Sequence, residues 1–166
     1  MTSLKEEFIS ILSRYQGILY KVSLVYFRNE NDRQDNFQEI AYQLWKSFPG
    51  LKNRESIGSW IYAVAINTSI SNLRKVSKVE FREHLPDSAG QADLVEKIVE
   101  DERQNMLINA IQRLDAVDKS IALLYLEEKS YKEIAEIIGI SANNVGVRIN
   151  RIKEELKNKL KFLNHE

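Results

Sequence analysis

The segment 130–156, SYKEIAEIIGISANNVGVRINRIKEEL, constrains this chain more than any other part of its sequence. Ser130 with Glu133 forms the pattern of a capping box, in which two side chains satisfy free backbone N–H groups at a helix start. Gly139 can adopt the left-handed backbone of a tight turn, and Ser141 can cap a second helix. Apolar residues then recur at helical spacing on that second helix, at Val145, Ile149, Ile152 and Leu156. The segment therefore predicts a helix-turn-helix.

The side chains left on the other faces of the second helix favour contact with DNA. In the major groove, Asn can pair with adenine and Arg with guanine, while lysines can hold phosphates. The candidate DNA-binding residues are Asn143, Asn144, Val147, Arg148, Asn150, Arg151 and Lys153. The alternative is an ordinary helical hairpin with a solvated outer face. Turn spacing, caps and exposed side chains together favour DNA binding over this alternative.

Apolar residues recur at spacings of three and four through both parts of the chain, and no segment alternates apolar with polar residues. Asp115 is expected to cap a helix that runs to about Leu126. The stretch LPDSAGQAD, residues 85–93, collects turn-forming residues and little apolar content. We therefore predict an all-α fold of two small helical domains, residues 1–84 and 98–166, joined by a flexible linker over residues 85–97. The second domain carries the helix-turn-helix.

Composition argues against several classes of protein. The chain of 166 residues has no Cys and two His, so it offers neither a cysteine zinc site nor a histidine-rich catalytic set. It lacks a glycine-rich phosphate loop, a run of 18 apolar residues and a basic, apolar signal sequence. We expect a cytoplasmic protein that is neither an enzyme nor a membrane protein, with no catalytic residue, metal site or cofactor.

The formal net charge is zero, with 24 basic and 24 acidic side chains, but the charges are unevenly placed. Residues 52–84 and 143–163 are predominantly basic, whereas residues 87–102 are predominantly acidic. Single charge runs are usually solvated helix faces. The presence of two separate basic segments makes the interpretation as solvated faces less favoured here.

Three motifs in the same order resemble bacterial RNA polymerase sigma factors of the extracytoplasmic-function (ECF) group, within the sigma-70 superfamily. Residues 110–156, which include the helix-turn-helix, are similar to the C-terminal domain of that family. DRQDNFQEIAYQLWKSF, residues 32–48, and SWIYAVAINTSISNLRK, residues 59–75, are similar to two motifs of its N-terminal domain. Together the motifs cover nearly the whole chain.

The resemblance implies a factor that directs promoter-specific transcription initiation. It implies core polymerase binding by Asp35, Gln38 and Glu39 on the second helix. It assigns the opened −10 element to the loop Leu51–Ser59 and to Asn67, Arg74 and Lys75, and the −35 element to the second helix of the helix-turn-helix. Trp60 and Tyr62 are the aromatic candidates, and Trp60 is expected to be core. The implied partners are core RNA polymerase, promoter DNA and an anti-sigma factor, which can be membrane-anchored.

Several residues depart from the family pattern. Asn143 and Asn144 replace a small residue and Thr, and Gly146 and Val147 replace a basic residue and Ser. The promoter sequence therefore stays open. Two other interpretations also stay open at this point: a helix-turn-helix regulator that binds duplex DNA without polymerase, and an interaction protein built from helical bundles.

Overall fold

The computed structural model describes residues 3–83 and 102–163, which are termed the N-terminal and C-terminal halves. These residues form helices and no strand, so the all-α prediction is confirmed. The predicted linker, residues 85–97, lies outside them. The N-terminal half contains α1 (Leu4–Tyr26), α2 (Glu30–Ser47), 3₁₀ turns at Phe48–Gly50 and Arg54–Ser56, and α3 (Ile57–Glu83). The C-terminal half contains α4 (Glu102–Gln112), α5 (Ala116–Leu126), α6 (Tyr131–Ile138) and α7 (Ala142–Leu163).

The three helices of the N-terminal half pack pairwise around one apolar core. Ser3 and Asn29 cap α1 and α2 by accepting backbone N–H groups of the first turn. The largest fully buried side chains of this core are Leu19, Val22, Ile40, Leu44, Phe48 and Ile61. Trp45 on α2 is 39% exposed. Its ring lies 5.1 Å from that of Phe8, so it covers the edge of the core.

α3 begins earlier than the sequence pattern indicates. The stretch up to Ser59 reads as a loop, yet the helix begins at Ile57. Ile57 is buried, and Trp60 is half-buried with its ring 6.5 Å from that of Phe48. Packing against the core therefore extends the helix towards its N-terminus, and Trp60 packs on the core as expected.

The two halves pack directly against each other. α1 contacts α4 and α5, and α3 contacts α6. The Tyr26 hydroxyl donates to the Ala116 carbonyl at 2.6 Å, and Gln112 Nε2 donates to the Leu24 carbonyl at 2.9 Å. Lys21 pairs with Glu127 at 2.9 Å at the edge of this interface. Buried apolar residues of both halves consequently form one continuous cluster.

Candidate nucleic-acid interface

The helix-turn-helix predicted from sequence is present with both of its caps. The Ser130 hydroxyl accepts the N–H of Glu133 at 3.1 Å, and the Glu133 carboxylate accepts the N–H of Ser130 at 3.2 Å. Gly139 has a φ of 87°, in the left-handed region, and ends α6. The Ser141 hydroxyl accepts the N–H of Asn144 at 3.1 Å and starts α7. Local residues thus set the turn between the two helices.

The buried side of α7 is the one that the spacing predicts. Val145, Ile149 and Ile152 are at most 3% exposed, and Leu156 packs against the core cluster. On α6, Ile134 is fully buried and Ile137 is 8% exposed, whereas Ile138 is only partly buried. The short helix packs on α3 as well as on α5 and α7.

Four of the predicted DNA-binding residues point to solvent from the first turns of α7. Asn143, Asn144, Val147 and Asn150 are all exposed, and they are termed the asparagine–valine face. Val147 is 61% exposed, the largest fraction among the large apolar side chains that the structure describes. Residues 143, 147 and 150 follow helical spacing on one side. This face is open to a partner.

The two predicted arginines are instead bound within the protein. Arg148 Nη1 donates to one carboxylate oxygen of Asp118 at 3.0 Å, and Arg151 Nη2 donates to the other at 2.7 Å. The Asp118 side chain is 4% exposed, whereas those of Arg148 and Arg151 are 28% and 52% exposed. The hydrogen bond that Arg151 donates to Asp118, and then the charge of Asp118, raise the pKa of the Arg151 guanidinium. These three residues are termed the arginine clamp.

Sequence reasoning missed the role of Asp118. It placed this residue only in the first turn of α5, where its N–H donates to the Asp115 cap at 2.8 Å. The residues that its carboxylate binds lie 30 and 33 positions further on. A local pattern carries no signal for such a contact, because it depends on the packing of α5 against α7.

Two other features of α7 involve aromatic side chains. Lys153 Nζ lies 4.7 Å from the centroid of the Tyr125 ring, and a hydrogen bond with Tyr125 raises the pKa of Lys153. A Cβ at Gly146 would lie 3.4 Å from the Tyr131 ring. The glycine that replaces a basic residue of the family pattern therefore lies directly beneath this ring.

On α3, the structure leaves Asn67 exposed, together with Arg74 and Lys75 about two turns further along the helix. Tyr62, an aromatic candidate, is 4% exposed. Burial, and then the charge of Glu127, raise the pKa of Tyr62 to about 12. Lys129 Nζ lies 5.7 Å from the centroid of its ring. The C-terminal half therefore covers Tyr62 in this arrangement.

On α2, Asp35 and Gln38 are exposed, and Glu39 is half-buried and accepts a hydrogen bond from Gln43 Nε2 at 3.0 Å. Asp35, Glu39 and Lys75 line one cavity of about 300 Å³ between α2 and α3. The fold thus brings candidates from two predicted sites to a shared surface.

Within residues 3–83 and 102–163, no group of three or more His, Asp or Glu side chains is arranged to hold a metal ion. Among the helices in these two ranges, none is long and apolar enough to cross a membrane.

Comparison with known proteins finds a match for each half of the chain. Residues 11–79 match the family model of sigma-70 region 2, and residues 104–156 match that of sigma-70 region 4. The chain is 28% identical to the RNA polymerase sigma factor SigV of Bacillus subtilis, over 86% of this chain and 84% of that protein. It is 26% identical to the ECF RNA polymerase sigma-E factor of Haemophilus influenzae, over 96% of this chain and 90% of that protein.

Two solved structures share the fold. The sigma factor RpoE of Bartonella quintana, in complex with the anti-sigma factor NepR, matches with a TM-score of 0.74 at 17% identity. That match covers 94% of this chain and 98% of that one. CnrH, in complex with the cytosolic domain of CnrY, matches with a TM-score of 0.67 at 16% identity, over 95% of this chain and 89% of that one.

An all-α chain with an exposed recognition helix in a helix-turn-helix defines a DNA-binding protein of transcription. The two region models assign the chain within that class. It belongs to the sigma-70 family of RNA polymerase sigma factors, in the ECF group. Its function is promoter-specific initiation of transcription, and the family consists of non-catalytic initiation factors.

Proposed function

We propose that residues 1–84 bind core RNA polymerase and the −10 element, that residues 98–166 bind the −35 element, and that residues 85–97 link them. The single observation that carries this proposal is the exposure of α7. The asparagine–valine face lies on the solvent side of α7. On the opposite side of this helix, three side chains are at most 3% exposed. A helix presented in this way fits the major groove of duplex DNA.

The −10 element is assigned to the exposed residues of α3. Asn67 offers an amide for a base edge, and Arg74 and Lys75 offer cations for phosphates within two turns of it. An unpaired base can be read on its edge when it leaves the stack. Tyr62 becomes available for such a base only when the C-terminal half moves away, because it is buried beneath that half.

Core polymerase is assigned to α2, through Asp35, Gln38 and Glu39. Two carboxylates and an amide on one polar side complement a basic partner surface and steer its association. Their position beside Lys75 in one cavity favours a single surface that carries both polymerase and promoter contacts.

An anti-sigma factor is the proposed regulator. One solved neighbour is a sigma factor in complex with the anti-sigma factor NepR, and the other is CnrH in complex with the cytosolic domain of CnrY. We assign the chain to the cytoplasm, where bacterial polymerase acts, and assign it no catalytic group or cofactor of its own.

Run-off transcription with purified bacterial core polymerase tests the proposal. Promoter fragments are transcribed with core enzyme alone, with this protein added, and with a known sigma factor in parallel. We expect specific transcripts that depend on this protein. If this protein neither binds core polymerase nor yields transcripts while the known factor is active, the result would contradict the proposal and favour a regulator that binds duplex DNA without polymerase.

Variants separate the two DNA contacts. Asn67→Ala should reduce initiation while preserving binding to core polymerase and to −35 duplex in the assembled holoenzyme. Asn150→Ala should weaken promoter binding at the −35 element. As a matched control, Asn31→Ala alters an exposed asparagine at the start of α2 and should leave both activities unchanged.

A further inference from the structure

We propose that the asparagine–valine face reads A·T base pairs in the −35 element, because the arginine clamp turns Arg148 away from the bases and holds Arg151 at the border of this face. The inference rests on the proposed function and adds the base preference of the same site. It follows from three features of the C-terminal half: the clamp, the chemistry of the exposed face, and the place of Arg151 at its border.

The clamp is held by a buried charge. Each oxygen of the Asp118 carboxylate binds one arginine, and its side chain is 4% exposed. Removing an arginine from it would leave a buried carboxylate without that counter-charge, which is strongly unfavourable. Guanine readout by Arg requires two parallel N–H donors aimed at O6 and N7 in the major groove. Arg148, at 28% exposure and turned towards α5, is not available for that geometry.

The exposed face carries the groups that recognise A·T pairs. The amide of Asn can donate to N7 and accept from N6 of adenine, and apolar side chains contact the thymine methyl group. Asn143, Asn144 and Asn150 supply amides, and Val147, at 61% exposure, supplies methyl groups between them. None of the four carries a charge. The face therefore offers no side chain of the type that pairs bidentately with guanine.

Arg151 has a different use at the border of this face. Its side chain is 52% exposed although Nη2 is bound to Asp118. A guanidinium has five N–H donors, so the remaining ones can donate to a phosphate while the clamp stays closed. Such a contact fixes the register of the helix on the duplex but carries no base preference. We therefore assign Arg151 to the backbone and the asparagines to the bases.

The test uses the holoenzyme and a promoter library with one fixed −10 element and a randomised −35 element. Transcribed members are sequenced. We expect A or T to be enriched at the positions under α7. Asn143→Ala and Asn150→Ala should each lower the discrimination between A·T and G·C pairs at one position by about 5- to 150-fold. This loss corresponds to the free energy of one bidentate contact with a base.

The clamp is tested by two variants. Asp118→Asn removes the charge at nearly constant volume and should release the arginines, which raises the share of G·C pairs at the same positions. The triple variant Asp118→Ala, Arg148→Ala, Arg151→Ala removes the whole clamp and should keep the A·T preference while binding weakens. Thermal melting checks that each variant folds. If either clamp variant does not fold, the variants at the exposed asparagines still test the base preference.

Enrichment of G·C pairs by the unaltered protein, or an unchanged preference after both asparagine substitutions, would overturn the inference but not the proposed function. The absence of transcripts from every library member, with a known sigma factor active in parallel, would overturn both.

Discussion

Asn36 links all three helices of the N-terminal half. It is 1% exposed, and its Nδ2 donates to the hydroxyls of Ser23 at 3.0 Å and Ser69 at 2.8 Å. Its Oδ1 accepts from Asn72 Nδ2 at 2.9 Å. The Ser69 hydroxyl in turn donates a hydrogen bond to the carbonyl of Ala65. A buried polar group that is fully hydrogen-bonded fixes the alignment of its neighbours, because any slip leaves donors and acceptors unpaired.

Substitution of Asn36 should therefore destabilise the fold. We expect Asn36→Ala to lower the free energy of unfolding by about 1–3 kcal/mol, because Ser23, Ser69 and Asn72 lose their shared partner in the core. Urea unfolding followed by circular dichroism measures the change. Asn31 is an exposed asparagine on the same helix, and the free energy of unfolding of Asn31→Ala should stay within about 0.5 kcal/mol of the parent value. Equal effects of the two substitutions would argue against the network.

Two glycines of the helix-turn-helix should respond oppositely to alanine. Gly146→Ala should stabilise the protein by about 0.5–1 kcal/mol, because it removes a helix-interior glycine, and the 3.4 Å approach to Tyr131 is ordinary contact. Gly139→Ala should destabilise it by about 1–2 kcal/mol, because a φ of 87° is strained for any residue with a Cβ.

Thermal melting of both glycine variants gives the sign directly. A loss of stability in Gly146→Ala would mean that Tyr131, although 40% exposed, cannot shift away from the new methyl group.

At the scale of elements, α6 depends on its cap because it has only eight residues. Hydrogen bonds from the backbone and side chain of Ser130 lower the pKa of the Glu133 carboxyl from its ordinary value of 4.5. A depressed pKa in the folded state means that the carboxylate stabilises the helix at pH values above 4.5. That contribution is lost as the pH falls through the lowered folded-state value.

The variant Glu133→Gln tests this pH dependence. Gln can still accept the N–H of Ser130 but carries no charge. We expect the parent protein to be more stable than the variant at pH 7 and the difference to shrink as the pH falls below 4.5. Melting temperatures across this range measure it. Glu136→Gln, which removes an exposed charge from the same helix, is the control. A difference between parent and Glu133→Gln that is constant with pH would contradict the expectation.

At the scale of the whole molecule, the packing of the two halves against each other limits the distance that one molecule can span. Burial raises the pKa of Tyr26 and lowers that of Lys119, and Lys119 Nζ lies 5.6 Å from the centroid of the Tyr26 ring. A compact chain of this length is about 40 Å across. The −35 and −10 elements are separated by roughly 25 base pairs, or about 85 Å of duplex. If the two halves contact these elements as proposed, they must separate before one molecule can reach both.

Cross-linking the halves should block initiation. The chain has no cysteine, so Lys21→Cys with Glu127→Cys introduces one unique pair at the edge of the interface. We expect a short bismaleimide across this pair to abolish run-off transcription while helical content is kept. The same protein capped with N-ethylmaleimide should stay active. A control cross-link between Lys5→Cys and Ile9→Cys, exposed and one turn apart on α1, should have no effect. Full activity of the cross-linked interface pair would contradict the separation.

The sequence by itself determined the helices, the helix-turn-helix with its caps, and the family, because these depend on residues within a few turns of one another. Spacing placed Val145, Ile149 and Ile152 in the core, and glycine at the turn required no distant partner. The predicted site residues remain proposals, and the structure gives their surroundings.

Only the tertiary structure decided which side chains are free to act and how the halves meet. The spacing of α7 treats Arg148 and Asn150 alike, yet the first binds a buried carboxylate 30 positions away and the second faces solvent. Asn36 on α2 and Tyr62 on α3 are likewise buried by partners from distant parts of the chain. Helical periodicity fixes a residue's angle around its own helix, whereas long-range packing fixes what lies opposite it.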